Sequence, residues 1–262
     1  MQLSDRMKQY ESANDFTLDA KLPVIIRLDG KSFHTWTKGC TKPYDVGLQN
    51  IFDATTKFLV EQTNAKVGYT QSDEITLILE QNIFNCRVNK LNSVLTSMCT
   101  AKFNELVPVF VPKNYGNLAY FDCRAFNVPS LTEAANVLVW RELDASRNSI
   151  QMLAQHYFSQ KDLDKVPCDR IKEMLLSKYS VDWEKSPSRF KYGAYFRRET
   201  KQVKFSSEEL TLLPERHDAK TNPDFVYSRN FTIRLDFPSI LSIINRSDVI
   251  FNDAEPVYAN VN

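Results

Sequence analysis

Two stretches of this chain carry carboxylates where an apolar run ends or turns. The first, Pro23 to Lys42, passes from Val24-Ile25-Ile26 into Asp29-Gly30. The second, Val67 to Glu80, holds Gln71-Ser72-Asp73-Glu74 between two alternating apolar runs. If Asp29 and Asp73 meet in space, two carboxylates, a backbone carbonyl and substrate phosphates make an oxygen set suited to Mg²⁺. A pair of such ions can lower the pKa of an attacking hydroxyl and support leaving phosphates. Gly30 would let backbone approach those phosphates with no Cβ in the way. Taken singly, Asp-Gly after a strand and Ser-Asp in a hairpin are also ordinary turn chemistry, and residue types alone leave both readings open.

The elements needed to bring the two together are legible. Val24 to Ile26 is β-branched and nearly continuous in apolar character, which predicts a central strand. Asp45 is placed to cap a helix running to about Asn64, with Leu48, Ile51, Phe52, Thr55, Phe58 and Leu59 at helical spacing. A hairpin follows, turning near Gln71 to Glu74. Val88 to Leu106 is a second helix, expected to end at Pro108, and Leu118 to Phe126 reads as a fourth strand. The order strand, helix, strand, strand, helix, strand is the split βαβ arrangement of ferredoxin-like and palm-type domains. In that α+β topology the first strand lies beside the hairpin, so Asp29 and Asp73 share one region of the sheet. Residues 1–129 read as this palm, with helices on one face. Residues 130–262 read as a helical and hairpin extension packed against it: a long helix from Ser130 to about Phe158, another from Asp169 to Tyr179, a late strand or hairpin from Phe225 to Phe237, and a polar tail from Asn245 to Asn262. A short amphipathic helix is expected from Leu3 to Ala13.

Lys+Arg 33 against Asp+Glu 32 leaves no global field for a polyanion, so any nucleic acid must use a local patch. The basic aromatic run from Lys185 to Lys204 is the candidate. In it Arg189, Lys191, Arg197 and Arg198 alternate with Phe190, Tyr192, Tyr195 and Phe196, as RNA contacts with stacking platforms or as a solvent-facing hairpin with a buried aromatic side. Arg87 and Lys90 stand three apart on one helix face, either aimed at one anion or simply solvated. Five cysteines with no Cys-x-x-Cys spacing suggest small buried hydrophobes in a reducing cytoplasm rather than a zinc site. No apolar run of membrane-spanning length occurs, so no membrane association is expected.

The segments RLDGKSFHTWTKGCTKPYD and YTQSDEITLIL, with LSDRMKQYE, FDCRAFNVPS, WRELDASRNSI and RFKYGAYFRRE, resemble the tRNA-His guanylyltransferase family of 3′–5′ polymerases, and in particular its bacterial and archaeal guanylyltransferase-like branch. The resemblance implies a polymerase-like palm that adds a nucleotide to the 5′ end of a tRNA. The 5′-monophosphate is first activated with ATP or GTP, and the 3′-hydroxyl of an incoming GTP then attacks it. It further implies that Asp29 and Asp73 hold two Mg²⁺ ions, with the carbonyl of Gly30, and that Glu74 completes the acidic group. Lys31, Ser32, Phe33 and His34 would line the nucleotide with Ser72 opposite, Lys42, Arg87 and Lys90 would meet a triphosphate, and the protein would be a homotetramer. Ser146 stands where eukaryotic members carry the histidine that reads the tRNA-His anticodon, which favours templated repair of 5′-truncated tRNAs. The competing readings are a palm-fold nucleotide cyclase, or another small-molecule nucleotidyltransferase, using the same carboxylates without RNA, and a tRNA-binding protein with a relic site.

Overall fold

β1 (Val24–Gly30) is flanked by antiparallel partners on both sides: β3 (Glu74–Leu79) and β4 (Phe121–Asn127). β2 (Val67–Gln71) pairs with β3 through a two-residue turn at Ser72-Asp73, and the hand of that turn puts Ser72 at φ 52°. These four strands lie in the order β4-β1-β3-β2, as the sequence pattern predicts, and the sheet then continues through β5 (Ala194–Val203) and β6 (Tyr227–Arg234). We describe residues 1–259 of a computed structural model.

The period-two alternation of β1 divides the core between the sheet faces. Val24, Ile26 and Leu28 join Ile75, Leu77 and Leu79 against α3 (Val46–Thr63) and α4 (Val88–Phe110). Ile25 faces the other way, with Val67, Tyr69 and Ile78, against α5 (Leu131–Gln155). Asp45 caps α3 by accepting from Leu48 N (3.1 Å), and Ser130 caps α5 by accepting from Glu133 N (3.2 Å). The palm helices α3 and α4 thus lie on one face as expected, and the extension supplies α5 to the second face.

The remaining helices are short: α1 (Leu3–Ser12), α2 (Phe33–Trp36), α6 (Gln160–Leu163), α7 (Cys168–Tyr179), α8 (Ser188–Tyr192), α9 (Ser207–Leu212) and α10 (Arg246–Phe251). A third cluster, including Ile150, Leu153, Ile171, Leu175, Trp183 and Phe190, joins α5 to α7 and α8. Glu142 of α5 is fully buried; it accepts from Tyr195 Oη (2.5 Å), from Ser239 Oγ and from Ile240 N (3.2 Å), which fixes the rotation of α5 and docks the C-terminal segment. Burial pushes its carboxyl up against these hydrogen bonds.

Three expectations change. α4 runs through Pro108 to Phe110, because Val107 is a buried core residue and one lost backbone bond in the last turn is outweighed by its packing. β4 begins at Phe121 rather than Leu118. The tail is not featureless, since α10 buries Val249, Ile250 and Phe251; its residues 260–262 lie outside those described. All five cysteines are unpaired. No helix among the described residues is long and apolar enough to cross a membrane.

Candidate active site

The register of the sheet sets the site. Asp29 of β1 sits directly across from Glu74 of β3 and, on its other side, across from Asp122 of β4. In each pair the side chains share a face, here the α5 side. The tip of the β2–β3 hairpin is tied to the same point, for Gly30 N donates to the Asp73 carbonyl (3.0 Å). Burial raises the Asp29 carboxyl above the usual aspartate range, and the charge of Asp122 adds to that. Burial likewise raises Asp73, with Asp29 adding to it, while Ser72 and His34 pull the other way. Among the described residues neither Asp29 nor Asp73 forms a salt bridge, so this corner holds anionic charge that no side chain pairs directly. Hard oxygen donors with unmatched charge fit a divalent cation such as Mg²⁺. No group of three or more His, Cys, Asp or Glu side chains among the described residues is placed to hold a metal, which leaves the pair and backbone as the donor set.

A cleft of about 310 Å³ opens beside the hairpin tip. His34, Lys42, Ser72 and Asp73 line it, as do Tyr44, Met152, Gln155 and Arg189. Its outer wall is the 41–45 loop, closed by Asp45, which accepts from Thr41 N (2.9 Å) while it caps α3. Burial pushes the Asp45 carboxyl up, but the N–H groups of Thr41 and Leu48 outweigh it and hold it low. Lys31 and Ser32 are exposed in the turn after β1, beside Asp29. Lys31 N donates to Tyr120 O (2.8 Å), and Ser32 takes a left-handed φ of 55° at the start of α2.

Several expected site residues have other work. Phe33 touches the cleft but is 3% exposed, its ring packed among Trp36, Phe52, Phe103 and Phe121. A Cβ on Gly30 would lie 2.6 Å from Phe33 Cε2, so the glycine is required by this ring. Glu74 belongs to an ion pair: Arg141 Nε donates to its Oε1 (2.6 Å) and Nη2 to its Oε2 (2.8 Å). Arg87 and Lys90 start α4, beyond Leu79, at the end of the sheet away from Asp29 and Asp73. There Arg87 pairs with Asp15 (2.8 Å) and Lys90 lies over the ring of Phe84. Within one chain they do not reach the cleft.

The basic aromatic stretch is mostly internal as well. Arg197 is 4% exposed and donates to Val249 O (2.5 Å), Glu199 and Asp253. Lys191 is buried over Trp183 and donates to Glu184 O (2.7 Å). Arg189 pairs with Asp53 (2.7 Å) at the cleft wall. Of the four cations expected to meet RNA, Arg198 alone is neither buried nor ion-paired among the described residues.

The comparisons with known proteins agree with this geometry. The tRNA-His guanylyltransferase family profile matches residues 4–129, the segment that supplies both aspartates. A solved bacterial tRNA-His guanylyltransferase-like protein in complex with ATP is 39% identical, with a TM-score of 0.71 over 76% of this chain and 87% of that one. The chain belongs to the tRNA-His guanylyltransferase family. It is therefore a nucleotidyltransferase. A second solved guanylyltransferase-like protein of the family, in complex with GTP, is 37% identical with a TM-score of 0.63, covering 78% of this chain and 88% of that one. The tRNA-His guanylyltransferase of Kluyveromyces lactis is 28% identical over 71% of this chain and 88% of its own length.

Sequence reasoning missed two residues beside the candidate site. Asp122 had a readable signal, because its period-two place in FDCRAF sets it opposite Asp29 once β4 pairs with β1. Arg141 had none, since its contact with Glu74 depends on how α5 crosses the sheet.

Proposed function

We propose that the chain is an Mg²⁺-dependent 3′–5′ nucleotidyltransferase that extends the 5′ end of a tRNA, using ATP or GTP to activate a 5′-monophosphate and GTP or a templated nucleotide for addition. The observation that carries the reading is the Asp29–Asp73 pair, neither of which forms a salt bridge among the described residues, with Asp73 on the wall of a cleft that Lys42 and His34 also line. The names of the relatives support it: a tRNA-His guanylyltransferase, and guanylyltransferase-like proteins in complex with ATP and with GTP.

Asp29 and Asp73, with the carbonyl of Gly30, would hold the metal, which supplies a lowered pKa for the attacking hydroxyl and charge for the leaving phosphates. The protein's own groups do the rest. Lys42 meets triphosphate oxygens as a point charge. His34 stands beside Asp73 and Ser72 on the cleft wall, where it can donate to a phosphate or ribose oxygen. The β2–β3 turn and the Gly30 N–H hold the two carboxylates in one register, so that nucleophile and phosphate are oriented before reaction.

Ser146 on α5 lacks the imidazole that eukaryotic members use on the tRNA-His anticodon, so 5′-truncated tRNAs belong among the substrates in this reading. Assembly into a homotetramer is part of it too, and is supported by α1, which exposes Leu3, Met7 and Tyr10 and buries no residue. The test is incubation of the purified protein with full-length and 5′-truncated, 5′-monophosphorylated tRNAs, ATP, GTP and Mg²⁺. Templated addition is expected, and Asp29→Ala and Asp73→Ala should abolish it. Full activity in either variant would sink the metal assignment. Cyclic nucleotide formed without RNA would replace the whole reading with that of a cyclase.

A further inference from the structure

The end of the sheet that carries Asp29 and Asp73 offers more carboxylates than Mg²⁺ needs. Glu74 follows Asp73 directly and is the cross-strand partner of Asp29. Chemically it is the same kind of donor. What sets it apart is Arg141, whose guanidinium takes both of its oxygens in a fork, shares Nη2 with Asp144 (2.9 Å) and lies over the Trp140 ring. The side chains of the pair are only 12% and 15% exposed, so water screens it little. Arg141 is held in place by its neighbour: Glu142, one residue on, is locked by Tyr195, Ser239 and Ile240, so α5 cannot roll to release the fork.

We propose that Arg141 is a positioning residue that withholds Glu74 from the metal held by Asp29 and Asp73. The proposal rests on the metal reading of the Asp29–Asp73 pair. Mg²⁺ binds at polymerase-type sites through one or two carboxylates and keeps coordination positions for water and phosphate. Glu74, released as a further carboxylate, would tighten cation binding and fill a position that the phosphates need. It would also neutralise part of the charge that must act on them. A planar, always-charged fork suits this task, because a lysine ammonium is a point charge without the fixed two-pronged geometry that matches both oxygens. Asp144, itself paired with Arg147, keeps the second edge of the guanidinium occupied and so fixes its plane.

The experiment compares wild type with Arg141→Gln, Arg141→Lys and the double variant Arg141→Gln/Glu74→Gln. It reads Mn²⁺ affinity by calorimetry in the absence of RNA, thermal melting, and single-turnover nucleotide addition. Arg141→Gln is expected to bind Mn²⁺ about tenfold tighter while addition slows by about tenfold or more, the scale on which groups around a metal act. Arg141→Lys should fall between. The double variant, with no carboxylate to release, should return to the Mn²⁺ affinity of the wild type. Wild-type Mn²⁺ affinity in Arg141→Gln overturns the proposal. So does an affinity that falls together with the melting temperature and is not restored by Glu74→Gln, which is the pattern of a merely structural ion pair. A wild-type protein that binds Mn²⁺ and follows this series, yet adds no nucleotide to any tRNA, overturns the proposed function and leaves the role of Arg141 standing.

Discussion

Replacing Gly30 by alanine separates two explanations for the glycine that follows Asp29. If it were needed only for close approach of a phosphate, alanine would leave the fold untouched. The structure says otherwise, because the new Cβ would lie 2.6 Å from Phe33 Cε2 and 2.7 Å from Cγ, well inside the ~3.5–4.0 Å of a normal carbon contact. The ring cannot retreat, with centroids of Trp36 at 5.3 Å, Phe103 at 5.5 Å and Phe121 at 5.3 Å around it. Overpacking of a closed core costs about 1–3 kcal/mol, and a ring boxed in on several sides belongs at the upper end. Alanine recovers roughly 0.5–1 kcal/mol over glycine within a strand. The net expectation is a loss of about 2 kcal/mol, or roughly 4–8 °C in melting temperature for a domain of this size. Urea denaturation measures it. Phe33→Leu should suppress the effect, so that Gly30→Ala/Phe33→Leu is no less stable than Phe33→Leu alone, a coupling above ~1 kcal/mol. A wild-type unfolding midpoint for Gly30→Ala, or strict additivity in the double variant, would refute the reasoning.

Two further outcomes follow from the same contacts. Asp29→Asn and Asp73→Asn should slow nucleotide addition by about a hundredfold or more, yet raise the melting temperature of metal-free protein near neutral pH. Both native carboxyls are held above the ordinary aspartate value, so the folded state binds their protons more tightly than the unfolded chain does. Their contribution to stability is complete below the unfolded value and is lost as pH rises through the raised folded values. Calorimetry should therefore show Mg²⁺ stabilising the wild type more near neutrality than in mild acid, and an equal effect at both would contradict the placement of the pair. Glu142→Ala should cost about 3–5 kcal/mol in urea denaturation, since it leaves Tyr195 Oη, Ser239 Oγ and Ile240 N buried without their acceptor; a loss under ~1 kcal/mol would show that this network does not anchor α5.

The sequence was most informative where one physical pattern acts alone. β1 was readable from Val24-Ile25-Ile26, the palm helices from their apolar spacing, and the approach of Asp29 to Asp73 from the order of elements. It was least informative where a charged side chain is bought out of water by a partner distant in the chain. Arg197 and Lys191 look like surface cations in any local window, and only the arrival of Asp253 on one and Trp183 with Glu184 on the other makes them interior groups. Glu74 has the same history with Arg141. Phe33 sits in a motif of polar neighbours, and nothing local shows that α3, α4 and β4 close over its ring. α10 escaped notice because six residues are too few for a helical period to show.

The pairing of β2 with β5 bears on how the molecule is made. β2 forms one side of the hairpin that carries Asp73, and all five of its residues are buried. During synthesis its outer edge has no partner until Ala194 to Arg197 have left the ribosome, long after the first four strands are complete. At about 5–20 residues per second the wait lasts several seconds at least. Through that interval the nascent chain carries a strand whose outer edge has free N–H and C=O groups, a template for pairing with a neighbouring chain. A gene truncated after β4 would freeze the protein at that stage. The later half is thus the part that covers the outer edge of β2, and expression yield should depend on it before catalysis does.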